Sequence, residues 1–224
     1  MRRLCSVWVP KLLSDDHRKK RVESAKYILN ELSNLGECAP SRYCLEDETW
    51  VNFSPMLPKQ ENKTWVEKSA KRHAIPRPTL TKKKTLLMIC LTADKFSVKA
   101  LPYGDTITSD VYVEFLKATG EKWRKLRSHP AKLSELSFQL DNARPHSAKT
   151  TKDFLGRREM NVIAQSPYSP DFNILDRWVN SHLKTRFKHT TFTNAKEVEV
   201  AALQALRDIP FDVFLHHLEK LKII

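Results

Sequence analysis

Three carboxylates in this sequence stand where metal-ion chemistry would place them. Asp141 closes the apolar run Leu-Ser-Phe-Gln-Leu and opens the polar run Asp-Asn-Ala-Arg-Pro-His. A carboxylate at the end of a buried strand is held rigidly while it projects into a cleft. Asp47 lies within Glu46-Asp47-Glu48, at the edge of a predicted strand, and any of these three acids could be a ligand or a surface charge. Asp176 falls early in a predicted helix, where Asp171 competes with it or caps the helix. Hard cations such as Mg²⁺ or Mn²⁺ prefer carboxylate oxygens and keep waters for a substrate phosphate. Two such ions roughly 4 Å apart serve the attacking and leaving oxygens of a phosphoryl displacement. Three acids from separate elements are the least scaffold for that pair. Because they repel one another until a cation neutralises them, their carboxyl groups are expected to converge within one coordination sphere. His146 reads either as a ligand or phosphate contact, or as a satisfied structural histidine.

The elements that must position these acids follow from hydrophobic spacing. Residues 1–13 read as an arm ending in Trp8-Val9-Pro10-Lys11-Leu12-Leu13. Ser14 is placed to cap a helix, with Asp15 and Asp16 in the first turn, where the dipole favours anions. Val22, Ala25, Leu29 and Leu32 carry that helix to about residue 35, before Gly36. Trp50, Val51 and Phe53 predict a first strand, and Thr64-Trp65-Val66 a second. Residues 85–91 and 96–100 flank a short turn and predict a hairpin. A helix is expected from 108 to about 126, a buried strand over 136–140, a helix over 149–159 and a strand over 162–164. After a proline-punctuated loop at 166–170, helices are expected over 174–187, 195–207 and 211–221. Strands followed by strands interleaved with helices imply an α/β layer around a mixed sheet.

Charge suggests what the site acts on. Lys plus Arg number 39 against 26 acidic residues in 224, for a net charge of +13 and a pI near 9.6. A polyanion is the natural partner, since each phosphate contact releases condensed counterions. The cations gather at residues 18–21, 63–84, 117–132 and 184–188. Apolar residues at 41% and charged residues at 29% exclude a mostly disordered chain. No run approaches the roughly 20 apolar residues of a membrane span, the basic start is too short and interrupted for a secretory signal, and no membrane partner or small-molecule cofactor is expected. Cys5, Cys38, Cys44 and Cys90 lie far apart without a CxxC pair, which fits reduced thiols in an intracellular protein.

Several of these stretches resemble motifs of the mariner family of transposases. Trp8-Val9-Pro10 resembles the linker that follows the family's DNA-binding region and helps pair two subunits. Asp47-Glu48-Thr49-Trp50 resembles the stretch carrying the first catalytic aspartate, and Asp141-Asn142-Ala143-Arg144-Pro145-His146 the second. Tyr168-Ser169-Pro170-Asp171, followed by Asp176, resembles the third, and the 34 residues between Asp141 and Asp176 match relatives whose triad ends in Asp. Gly104-Asp105-Thr106-Ile107-Thr108 is similar to a family turn. The sequence departs from the pattern at Glu46, where a glycine is usual, at Leu140, where a histidine is common, and over Phe172-Asn173-Ile174-Leu175, where a proline-containing link is frequent. The family's N-terminal pair of helix-turn-helix modules has no counterpart in these residues, so sequence-specific recognition of transposon ends is not expected of them.

The resemblance implies a ribonuclease-H-like, retroviral-integrase-like fold, with a mixed sheet flanked by helices over 41–224. Residues 1–40 would form an arm and helix for homodimerisation, through Trp8, Val9, Pro10, Leu12 and Leu13. It implies cleavage of double-stranded DNA and transfer of the freed 3′ end in the nucleus. Asp47, Asp141 and Asp176 would be the catalytic residues and the ligands of two Mg²⁺ or Mn²⁺ ions. Arg144, His146, Lys82, Lys83 and Lys84 are the expected DNA contacts. The rival expectation is a repurposed remnant that binds DNA and dimerises without catalysis.

Overall fold

Five strands form one mixed sheet in the order β3-β2-β1-β4-β5 in the computed structural model, which describes residues 12–54, 83–126 and 132–222. β1 (Tyr43–Asn52), β2 (Lys84–Leu91) and β3 (Phe96–Ala100) make an antiparallel meander, and β4 (Ser137–Leu140) and β5 (Asn161–Ala164) add in parallel beyond β1. This is the α/β layer around a mixed sheet that the spacing predicts. Parallel pairs need crossovers, and helices supply them. One is α2 (Ser109–Lys125), between β3 and β4; the other is α3 (Lys149–Arg157), between β4 and β5.

Alternation along the strands gives the sheet two apolar faces. Tyr43, Leu45, Leu87, Ile89 and Leu91 join one core with α1 (Asp15–Leu35), α4 (Asn180–Arg186), α5 (Ala195–Arg207) and α6 (Phe211–Leu221). Cys44, Met88, Cys90 and Phe138 join the other, against Tyr112, Phe115, Leu116 and Trp123 of α2 and Phe154 of α3. Both faces are therefore covered, and a slip of one residue in β1 would exchange its two buried sets.

Local signals behave as expected. The Ser14 hydroxyl accepts from the His17 N–H at 3.3 Å, and Gly36, at φ +52°, ends α1. α1 buries Ile28 and Leu32 in the first core. Thr108 caps α2, and Gly104 takes φ +95° in the turn before it, a conformation that needs no Cβ. β1 is longer than expected, starting at Tyr43, so Asp47 lies in mid-strand rather than at a strand edge. The second strand expected at Thr64-Trp65-Val66, the arm residues Trp8, Val9 and Pro10, and Lys82 all lie outside the described residues.

Candidate active site

The site begins in the middle of β1. β1 pairs in parallel with β4 as far as Leu45 opposite Gln139; Asp47 continues β1, and Asp141 opens the turn just after β4 ends at Leu140. Asp47 has the parity of Tyr43 and Leu45, so it sits on the face covered by α1 and the C-terminal helices, while Glu46 and Glu48 share the face of Cys44. The alternatives at this position thus fall on opposite sides of the sheet.

Asp176 is delivered by a loop stapled to the sheet. Buried Gln139 of β4 donates to Gln165 Oε1 and to the Phe172 carbonyl, both at 2.9 Å, and Gln165 donates to the Ser169 carbonyl at 2.6 Å. Asn173 donates to the Glu46 carbonyl of β1 at 3.1 Å and accepts from the Leu175 N–H at 2.9 Å, fixing the start of the next helix against the central strand. That helix opens as a π-helical turn, Leu175–Val179, and continues as α4. Asn180, one turn beyond Asp176, donates to Asp47 Oδ2 at 2.8 Å. Tyr168, at φ +56°, takes the left-handed conformation in this loop, a strain that a rigid surround must hold. A cleft of about 420 Å³ is lined by Asp141 and Asp176 together with Asn142, Gln165, Ser166 and Tyr168.

Asp176 stands electrostatically between the other two aspartates, acting on Asp47 and feeling Asp141. Burial, and then the Asp176 carboxylate, push Asp47 up to about 8 against the Asn180 hydrogen bond. Asp176 is also raised, by burial and by Asp141, against a hydrogen bond shared with Asp47. Asp141 moves the other way: burial would raise it, but the His146 ring and the Ala143 N–H, at 2.7 and 2.9 Å from its Oδ1, hold it below the usual carboxylate range. Hard oxygen donors whose negative charge is disfavoured by burial and crowding fit a divalent cation. Convergence within one coordination sphere is not what the structure shows. Among the described residues, the set whose ligand atoms all lie within 4.8 Å is Glu46, Glu48 and His146, not the three aspartates. The physical reason is the turn after β4, in which Asp141 spends an oxygen on Ala143 and His146.

That second set lies behind the first, under Tyr112 of α2, whose ring centroid is 4.4 Å from that of His146. His146 Nδ1 meets Asp141 at 2.7 Å, and its Nε2 lies 3.2 Å from Glu48 and 3.3 Å from Glu46. Burial alone would lower its pKa, but the three carboxylates outweigh it and push the imidazole up to about 11. Glu46 is held well above the carboxylate range by burial and by Glu48, with His146 opposing. The geometry therefore gives His146 to Asp141 and its neighbours and buries it away from an external phosphate. Arg144 is exposed beside the cleft, Lys83 is exposed with its ammonium 5.9 Å from the Tyr103 ring, and Lys84 lies 3.9 Å over Trp50. Asp171 is engaged elsewhere, in a bidentate pair with Arg21 of α1 at 2.7 and 2.8 Å. Leu12 is exposed and Leu13 half-buried. Sequence reasoning missed Gln139, Gln165, Asn173 and Asn180. Only Asn180 carried a signal, since a helical residue four beyond Asp176 shares its face.

No protein-family model matches the chain. The human histone-lysine N-methyltransferase SETMAR is 27% identical over 195 residues, 87% of this chain. The mariner Mos1 transposase of Drosophila mauritiana is 26% identical over 168 residues, 73% of this chain. The chain spans only 28% and 47% of these two relatives. Among solved structures, a Mos1 transposase paired-end complex with the left transposon end overlays 99% of this chain and 64% of its own with a TM-score of 0.82 at 20% identity. The Mos1 catalytic domain overlays 96% of this chain and 93% of its own, with a TM-score of 0.72 at 18% identity. In sequence this chain is similar to SETMAR and to the Mos1 mariner transposase, and its five-stranded mixed sheet with flanking helices shares the fold of the Mos1 catalytic domain.

Proposed function

We propose that this chain is a mariner-type transposase catalytic domain that cleaves DNA strands in a divalent-metal-dependent reaction and joins freed 3′ ends to target DNA. The observation that carries this reading is that Asp141 and Asp176 line one cleft while Asp47, in mid-β1, is tied to Asn180 and Asp176 of the third element. Asp47, Asp141 and Asp176 would hold one or two Mg²⁺ or Mn²⁺ ions. When bound, such ions activate the attacking oxygen and neutralise charge building on the phosphate.

The chain's own residues supply rigidity and orientation. Asn180 holds the Asp47 carboxyl by a direct hydrogen bond, and Asn173 locks the Asp176 turn to the backbone of β1. His146 fixes one oxygen of Asp141, leaving the other free to serve a ligand. Exposed Arg144, Lys83 and Lys84 would contact backbone phosphates, which positions a duplex without reading its sequence. Double-stranded DNA as substrate, a homodimer as the working unit and a nuclear setting complete the reading. No described helix is long and apolar enough to cross a membrane.

One observation favours a second reading, of a repurposed chain that binds DNA without cutting it: the aspartates do not form the tightest ligand set. A nicking assay on supercoiled plasmid with Mg²⁺ or Mn²⁺ separates the two. Nicking by the wild type that chelation and Asp141→Ala both abolish is the expected result. Binding without metal-dependent nicking would replace catalysis by the second reading.

A further inference from the structure

Lys117, Arg124 and Lys132 of the basic run at 117–132 are not used by the active site, and in the structure they line a pocket apart from it. Lys117 and Arg124 project from α2, Lys132 from the segment that leads into β4, and Arg158 from the end of α3, around a pocket of about 290 Å³. Among the described residues none of these four cations is paired with a carboxylate within ion-pair distance, and the one acid lining the pocket is Glu121. Four cations against one anion leave a strong positive excess in a concave site, where low-dielectric walls focus the field. The floor is Phe154 of α3, with the Lys117 ammonium 6.0 Å and the Arg158 guanidinium 5.6 Å from its ring centre.

A glycine in mid-helix shapes this pocket. Gly120 costs helix stability relative to alanine, yet a Cβ there would meet the Leu133 side chain at 3.1 Å. Its absence lets the segment carrying Leu133 lie close against α2, which brings Lys132 to the same pocket as Arg124 and Arg158. The pocket does not include the residues that line the cleft of Asp141 and Asp176.

We infer that this pocket binds a phosphate group, and specifically a backbone phosphate of DNA outside the cleaved segment. The inference rests on the reading that DNA is the substrate, and it adds a second, non-catalytic anchor on the α2–α3 side. Guanidinium forks match phosphate oxygens, and lysines add point charge, so phosphate suits this donor set better than a carboxylate-bearing or neutral ligand.

The test compares the wild type with a Lys117→Gln, Arg124→Gln, Arg158→Gln variant in fluorescence anisotropy with a labelled random-sequence duplex, across a salt series. All three positions are exposed, so folding should survive, which a thermal melt would verify. A control variant, Lys26→Gln, Lys196→Gln, Lys220→Gln, removes the same charge from helices packed on the other face of the sheet. The pocket variant should lower the slope of log affinity against log salt by roughly 2 to 3, and the control should lower it clearly less. Equal loss in both variants would make the effect diffuse charge and overturn the pocket. An unchanged slope, with inorganic phosphate alone binding the wild type but not the pocket variant at fixed ionic strength, would assign the pocket to a free phosphate and overturn the DNA anchor. Plasmid nicking at saturating protein should persist in the pocket variant. A wild type that binds DNA with the expected slope difference yet never nicks would fail the catalytic proposal and leave this one standing.

Discussion

Glu46 and His146 share one buried space, and the structure treats them unequally. Neither carboxylate oxygen of Glu46 has a hydrogen-bond donor, although the residue is 1% exposed. His146 is shared by Asp141, Glu48 and Glu46. Replacing an acid whose ionisation is disfavoured and that makes no hydrogen bond should cost little, whereas removing the imidazole strands the acids around it. Glu46→Gln is therefore expected to leave the melting temperature unchanged or higher, and His146→Ala to cost about 3 to 5 kcal/mol. Calorimetry on both variants decides, and a larger loss for Glu46→Gln than for His146→Ala would reverse the assignment of the anchor. On the proposed function the aspartates behave differently again, since there their burial and crowding would serve a ligand rather than the fold. Asp47→Asn and Asp176→Asn keep shape and remove a disfavoured charge, so both should melt cooperatively at or above the wild-type temperature. Their metal-dependent nicking should fall by roughly 10²- to 10³-fold, the range seen when one charge-stabilising group is lost. Loss of the cooperative melt along with the nicking would make either residue structural.

Between elements, the contact that matters most is the one joining α1 to the loop that carries Asp176. Arg21 grips both oxygens of Asp171 and lies 4.6 Å over the Phe172 ring, two residues from the start of the stapled turn. The Arg21 hydrogen bond holds the Asp171 carboxyl below its usual range, with burial opposing. Since the folded value lies below the unfolded one, the pair contributes stability above the unfolded pKa near 4 and loses it as pH falls through the folded value. Asp171 is 40% exposed, so after solvent screening the contribution is about 1 kcal/mol. Urea unfolding of Asp171→Asn should show that deficit at neutral pH and a shrinking one towards about pH 3. A deficit constant with pH would mean that packing on Phe172, not the charge, holds the helix. This contact was not legible beforehand, because a pair 150 residues apart leaves no trace in local spacing. What was legible is what local physics dictates: the Ser14 cap, the Gly36 stop, the hairpin of β2 and β3, and Asp141 at the end of a buried strand. The inner half of β1 was hidden because Glu46, Asp47 and Glu48 interrupt the apolar run on both faces of a central strand. The π-helical opening of α4 was hidden for a related reason, as the Asn173 contact to β1 that precedes it is tertiary.

At the scale of the whole molecule, several of the apolar residues left outside both cores lie along the N-terminal segment. Leu12 is 87% exposed, and on α1 Val22 is 55%, Tyr27 47% and Leu29 37% exposed. Val22 and Leu29 are two turns apart and form one stripe, while Ile28 and Leu32 face the core. A helix that is committed to its own domain on one side and apolar along another suits an isologous contact, in which the same stripe of a second copy covers it. The resemblance of Trp8-Val9-Pro10 to a subunit-pairing linker points to the same partner, and Leu12 continues that arm into the described residues. Buried apolar anchors usually dominate such contacts, so a Leu12→Ala, Val22→Ser, Leu29→Ser variant should weaken self-association by roughly 30-fold or more. The three side chains contribute little to either core, so far-ultraviolet circular dichroism and the melt should change little. Sedimentation velocity of wild type and variant at micromolar concentration measures the outcome. The expected pattern is a wild-type dimer and a folded monomeric variant. A monomeric wild type would remove the dimer, and a variant that stays dimeric would move the interface off this stripe.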